Sequence, residues 1–230
     1  MLHPQGDSTA APPLSKQVVL SIRNQPVVLQ EDWNHGIGGG LWSTGLALAK
    51  YLDTAHAQEQ LANGNGHHHP IQTALELGSG NGFLAVCLLA AHPKLQRLVV
   101  TDTSEHLPLI RSTIDANASL LTTTNSSCQV LVQEYLWGTG SLHQQTFDFI
   151  IGSDVAYRDE LHDPLIQALL ECSHGKTVIL LGVTMNDTKP IFFTKLHQHG
   201  FTYERLADHC LDPAFRGTHF AIFVIQRLEL

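Results

Sequence analysis

The chain has 230 residues, 43% hydrophobic and 15% charged, which suits one α/β domain with a full core and leaves little room for a second. Thirteen Lys and Arg against 21 Asp and Glu give a formal charge of -8, which disfavours general binding to nucleic-acid phosphates and suits a basic protein partner. No apolar stretch reaches membrane-spanning length, so no membrane partner is expected.

Residues 1–16 are rich in Pro, Ser and Ala and read as a disordered tail, with no signal-peptide pattern. QVVLSI (17–22) and QPVVLQ (25–30) read as strands of a hairpin turning at Arg23-Asn24. A glycine cluster, HGIGGG (35–40), precedes a helical pattern over 41–60, and LANGNGHHHP (61–70) is a loop. Strands and helices then alternate. Strands are predicted at 71–77, 97–102, 128–134, 146–154 and 176–183. Helices are predicted at 82–92, at 104–117 with Ser104 as cap, at 163–172 with Asp163 as cap, and at 189–199. Segments 201–207 and 219–228 close the chain as two strands, read as antiparallel. Residues 17–230 are thus expected to form one Rossmann-like domain, a mostly parallel sheet with helices on both faces. Its ligand site should lie at the carboxyl ends of the strands. Cys87, Cys128, Cys172 and Cys210 form no C-x-x-C pair and sit in or beside apolar runs. They read as buried free thiols in a reducing compartment, cytoplasm or nucleus.

ALELGSGNG (74–82) is the strongest local signal: a strand, a glycine turn, then a helix. Gly78, Gly80 and Gly82 let the backbone approach a ligand, with Ser79 and Asn81 between them. The third glycine comes one residue too early for a dinucleotide fingerprint, and Glu76 would repel a pyrophosphate. That acid instead suits the ammonium of S-adenosylmethionine. Asp102, ending the next strand, can accept both ribose hydroxyls. Taken singly, Glu76 reads as a solvated strand end and Asp102 as a helix cap. EYLWG (134–138) borders the expected adenine slot; Leu136 and Trp137 are its apolar candidates, Trp137 also reading as a core residue.

ALELGSGNG, VVTD (99–102), EYLWG and SDVAY (153–157) follow in an order that resembles the seven-strand protein-lysine methyltransferases bearing an Asp-x-x-Tyr motif. EDWNHGIGGGLWSTGLALAKYL (31–52) is similar to that family's lead-in, in the form most like the fungal subgroup acting on translation elongation factor 1A. The resemblance implies a seven-stranded methyltransferase fold, S-adenosyl-L-methionine as cofactor and a protein substrate, with elongation factor 1A favoured. It places Trp42 and Ser153 at the cofactor. It makes Asp154 the residue that orients the target amine and Tyr157 the lining of the lysine channel. Apart from the resemblance, Asp154 reads as a helix cap and Tyr157 as a half-buried ring. Val155-Ala156 and LGVTMNDTKP (181–190) depart from the common pattern. A different methyl acceptor, or a silent cofactor-binding module, remain the competing readings.

No functional metal is expected. HHH (67–69) lies in a loop, His197 and His199 do not share a helix face, and no paired Cys/His spacing occurs. No G-x-S-x-G elbow supports serine hydrolysis.

Overall fold

The computed structural model describes residues 15–63, 70–124, 127–142 and 145–228. The first apolar runs pair antiparallel as β1 (Ser15–Ile22) and β2 (Gln25–Asp32). Arg23 and Asn24 turn the chain with φ of 53° and 59°, the backbone that a two-residue hairpin turn requires. After a 3-10 segment over Trp33–Gly39, α1 (Ser43–Leu52) and α2 (Ala55–Asn63) follow. The single helix expected over 41–60 is therefore broken. Thr54 ends one helix and starts the next: its Oγ1 donates to Tyr51 O at 2.7 Å and accepts from Ala57 N at 3.2 Å.

Strand and helix then alternate as β3 (Thr73–Leu77), α3 (Phe83–Ala91), β4 (Arg97–Asp102), α4 (Leu107–Ala116), α5 (Ala118–Thr124) and β5 (Gln129–Glu134). The second half runs β6 (Phe149–Ser153), α6 (His162–Cys172), β7 (Val178–Thr184), α7 (Pro190–Gln198), β8 (Phe201–Arg205) and β9 (Phe220–Arg227). The strands β3 to β9 form one sheet in the order β5-β4-β3-β6-β7-β9-β8, parallel except for β9, which is antiparallel to both neighbours.

Side chains of each strand alternate between two cores. Ala74, Leu98, Val100, Ile151 and Leu180 face α1, α2, α3 and the hairpin. Leu75, Val99, Ile150, Ile179 and Leu181 face α6 and α7. Every residue of α3 is buried, which explains its lack of a polar face. The chain leaves β3 towards β4 and β5, then returns to its other side with β6. This reversal opens a crevice at the carboxyl ends of β3 and β6.

Several local expectations change. Ser104 does not cap α4; it lies in a turn, its N–H donates to Glu134 Oε1 at 3.1 Å, and the helix opens after His106. Asp163 lies inside the first turn of α6, paired with Lys195 at 2.7 Å, and does not cap it. The strand expected from 146 starts at Phe149, because Phe147 N–H donates sideways to Cys172 O. All four thiols are free, but Cys128 and Cys210 are only half-buried. The HHH run and residues 1–14 of the expected tail lie outside the described residues, while Ser15 and Lys16 belong to β1.

Candidate active site

β3 delivers the glycine turn to the crevice. Gly78 and Gly80 have φ of 63° and 61°, a conformation that a side chain would strain. Space is closed as well. A Cβ on Gly78 would stand 2.8 Å from Val155 Cγ1 and 3.2 Å from Trp137 Cζ2. A Cβ on Gly80 would stand 2.6 Å from the Gly38 carbonyl oxygen. The turn is pinned by its neighbours: Ser79 N–H donates to Thr101 O at 3.0 Å, and Gly80 N–H to Asp102 Oδ2 at 2.7 Å. Asn81 Oδ1 accepts from Phe83 N at 3.1 Å, and its Nδ2 donates to Gly40 O at 2.8 Å. It thereby ties the lead-in to the start of α3. Gly82 also has positive φ, at the N-cap of α3.

The two acids flanking the turn differ. Glu76 is 2% exposed, and its Oε2 has no hydrogen-bond partner among the described residues. Burial lifts its pKa to about 8; Ser79 pulls the other way, and the charge of Asp102 adds to the rise. Glu76 is thus not a solvated strand end. Burial also works to raise Asp102, but hydrogen bonds from His106 and from the Gly80 N–H outweigh it and hold that carboxyl below its ordinary value. His106 Nδ1 lies 3.0 Å from Asp102 Oδ1, and the Thr103 N–H donates to the same oxygen at 2.7 Å. Asp102 is not the cap of α4, which starts after His106.

The lead-in lies across this turn. Glu31 Oε1 accepts from Leu41 N at 2.9 Å, and Trp42 Nε1 donates to Ile37 O at 2.7 Å. Trp42 packs edge-on against Trp33 with centroids 6.2 Å apart and remains half exposed. Gly38 sits under the His106 ring, where a Cβ would clash with the imidazole. Trp137 is half-buried beside Gly78, and Leu136 projects to solvent from the turn after β5.

On the other side of the switch, Asp154 follows β6 with φ of 51°, rare for a residue with a side chain. Its N–H donates to Gly182 O at 2.9 Å, and its Oδ1 accepts from Thr184 Oγ1 at 3.1 Å. It caps no helix; α6 starts after Leu161. Burial raises its pKa, hydrogen bonds from Thr44 and Thr184 oppose the rise, and the charge of Asp187 adds to it. Tyr157 is exposed at the mouth, with the Arg158 guanidinium 5.2 Å from its ring centroid. Ser153 lies beside α1, its Oγ 3.4 Å from where a Gly45 Cβ would stand. The sequence reading missed Thr44, Thr184 and His106. Thr184 ends β7, the strand next to β6, at the same carboxyl edge of the sheet, the one signal that could have marked it.

Among the described residues, no three His, Cys, Asp or Glu side chains could hold a metal ion, and no helix is long and apolar enough to cross a membrane. The family model for lysine methyltransferases matches residues 21–199. The chain belongs to this family. The chain is 26% identical over 210 residues to protein N-lysine methyltransferase METTL21A of Xenopus tropicalis, covering 90% of this chain and 87% of that protein. Protein-lysine N-methyltransferase EFM6 of Saccharomyces cerevisiae is 23% identical over 164 residues, covering 64% of this chain and 63% of its own. Among solved structures, the 16S rRNA methyltransferase RsmC of T. thermophilus, in complex with AdoMet and guanosine, superposes with a TM-score of 0.63 at 14% identity. That match covers 98% of this chain and 53% of RsmC, so the chain spans about half the length of this solved relative in fold. The lysine methyltransferase described here carries its glycine turn, Asp102, Asp154 and Tyr157 inside the matched segment.

Proposed function

We propose that this methyltransferase transfers a methyl group to the ε-amine of a lysine on translation elongation factor 1A. The methyl donor is S-adenosylmethionine. The residues at the glycine turn fit it. Glu76 offers a buried carboxylate oxygen without a partner to the ammonium end, in a cradle that a Cβ at Gly78 or Gly80 would fill. Ser79, Asn81 and Gly82 complete the turn. A carboxylate has about four acceptor positions, so Asp102 can keep its bonds to Gly80 and Thr103 and still meet ribose hydroxyls. Trp137 walls the adenine side with Leu136, while Trp42 and Ser153 border the donor from the lead-in and from β6.

The bound donor supplies an electrophilic methyl on a sulfonium. The chain's own residues must align the acceptor and exclude water. A free lysine amine has a pKa near 10.4, so it arrives as an ammonium. Asp154 attracts and orients that ammonium, which must lose one proton to solvent before its nitrogen lone pair can accept the methyl, and the ring of Tyr157 packs along the aliphatic stem. What carries this reading is how near the acceptor motif stands to the glycine turn. Val155, between Asp154 and Tyr157, lies 2.8 Å from the Cβ position of Gly78.

Four exposed large apolar residues outside the donor pocket support a protein acceptor. Trp33 and Ile37 stand on the lead-in, and Tyr157 and Met185 follow the carboxyl ends of β6 and β7. Such a rim suits a protein surface more than a small solute. For the named target, support comes from the fungal form of the lead-in and from EEF1A lysine methyltransferase 3 of Xenopus tropicalis, 28% identical over 155 residues. The test is purified elongation factor 1A with labelled S-adenosylmethionine. Label on one of its lysines, lost with Asp154→Ala, supports the target. Purified factor that stays unlabelled, while the same enzyme labels a different protein in cell extract, overturns it.

A further inference from the structure

α1 touches the acceptor side of the site through one buried hydroxyl. Two glycines allow the approach. A Cβ on Gly182 of β7 would stand 2.6 Å from Leu48 Cδ1 and 2.8 Å from Thr44 Cγ2, and Gly45 gives the matching clearance over Ser153. The helix therefore rests on the ends of β6 and β7, with Thr44 1% exposed. Thr44 Oγ1 lies 3.0 Å from Thr184 Oγ1, which in turn donates to Asp154 Oδ1 at 3.1 Å. A hydroxyl has a single proton to give. Thr184 gives its own to the carboxylate, and Thr44, in contact with Thr184, bonds to the same acid. Two hydroxyls thus converge on Asp154, one from the lead-in helix and one from β7.

Resting on the reading that Asp154 meets the acceptor amine, we infer that Thr184, oriented by Thr44, is a positioning residue for methyl transfer. Its hydroxyl donates to Oδ1 of the Asp154 carboxylate and, together with Thr44 and its own backbone N–H, fixes the orientation in which that carboxylate meets the incoming lysine ammonium. The need is physical. Asp154 is held in a left-handed backbone and is partly desolvated, so each donor removed from its carboxylate favours the protonated form. Asp187, on the loop after β7, pushes in the same direction as burial. α1 and β7 face the acid with the uncharged Thr44 and Thr184, whose donated bonds favour its anion. A protonated Asp154 would lose the charge that attracts the substrate ammonium. The lead-in helix thus helps keep the acceptor acid charged through Thr44 as well as packing beside the donor.

Thr184→Val deletes the hydroxyl and keeps the branched shape. For this variant kcat/KM towards the protein acceptor should fall roughly tenfold, the size expected for one bond to a charged group. The acid limb of its pH profile should move up by about one unit. Thr184→Ser should restore both, and cofactor affinity by calorimetry should stay at the wild-type value. An unmoved pH profile in Thr184→Val, or a Ser variant no better than Val, overturns the role. If Thr184→Val no longer binds cofactor, Thr44→Val takes its place and should shift the limb in the same direction by less; an unmoved limb there overturns the role equally. Asp154→Asn separates the two readings. Full activity in that variant removes Asp154 from the acceptor site and both readings fall. Loss of activity there, with Thr184→Val unchanged, removes only the positioning role.

Discussion

Glu76→Gln should abolish most of the pH dependence of cofactor binding. Glu76 is 2% exposed and titrates at about 8 because burial disfavours its charge. At pH 7 about nine in ten molecules therefore hold it protonated. An ammonium ligand needs the carboxylate, so binding at that pH must remove a proton at a cost of roughly 1.4 kcal/mol. Wild-type affinity should rise about tenfold per unit from pH 6 to pH 8 and then level off, while the amide variant stays nearly flat. The gap between them should be widest above pH 8 and close towards pH 6. Calorimetry in two buffers of different ionisation enthalpy counts the protons. The wild type should release close to one more proton per cofactor at pH 7 than the variant. The ligand-free protein gives an independent check. The folded-state pKa of Glu76 lies above the ordinary carboxyl value of 4.5, so the contribution to stability is complete below that pH and is lost as pH rises through about 8. The loss is at most about 5 kcal/mol, and Glu76→Gln should remove it. Parallel pH curves for the two proteins would refute the reasoning, because they would show that Glu76 does not change its protonation on binding.

Gly80→Ala should lower Tm by several degrees and weaken cofactor binding, since it combines positive φ with a clash against a backbone oxygen. Differential scanning fluorimetry with and without cofactor reads both effects. Asp102→Ala frees the Gly80 N–H and should cut cofactor affinity at least tenfold by calorimetry. The Asp102 pKa is held low, so its stability contribution should be present above the ordinary carboxyl range and disappear as pH falls below it. Tyr157→Ala should lower turnover on the protein acceptor more than tenfold and leave cofactor affinity unchanged, which steady-state kinetics and calorimetry separate. Asn117→Ala should destabilise the fold by about 2–3 kcal/mol in urea. Asn117 clamps β2 through Val28 N at 2.8 Å and Val28 O at 2.6 Å, and its Nδ2 also reaches Thr113 O.

The sheet was legible because its signals are local. Alternating apolar runs, glycines at turns and prolines at helix starts set β3 to β7 and α7 to within a few residues of the predicted bounds. The hairpin could be placed from two residues, of which Asn24 tolerates positive φ readily and Arg23 does not. Cap assignments failed where another partner competed. Asp163 was taken by Lys195, and the turn at Ser104 by the Glu134 carboxylate. The break between α1 and α2 was hidden because Thr54 acts through its own hydroxyl, leaving the apolar period almost intact. The glycine turn and its acids could be read from spacing alone. The burial of Glu76 could not, because it depends on how α3 and the neighbouring strand pack around β3, which no local pattern carries. The threonines at Asp154 were invisible for the same reason: Thr44 and Thr184 are 140 residues apart and meet only because Gly182 lets a helix descend onto its strand.

The most direct test is a proteome from cells lacking this enzyme, incubated with the purified chain and S-adenosylmethionine carrying an isotopic methyl. Mass spectrometry should find the label on the ε-nitrogen of a lysine in one protein, and no label with Asp102→Ala or Asp154→Ala. A label confined to RNA, to a small solute or to a side chain other than lysine would contradict the assignment of both halves of the crevice.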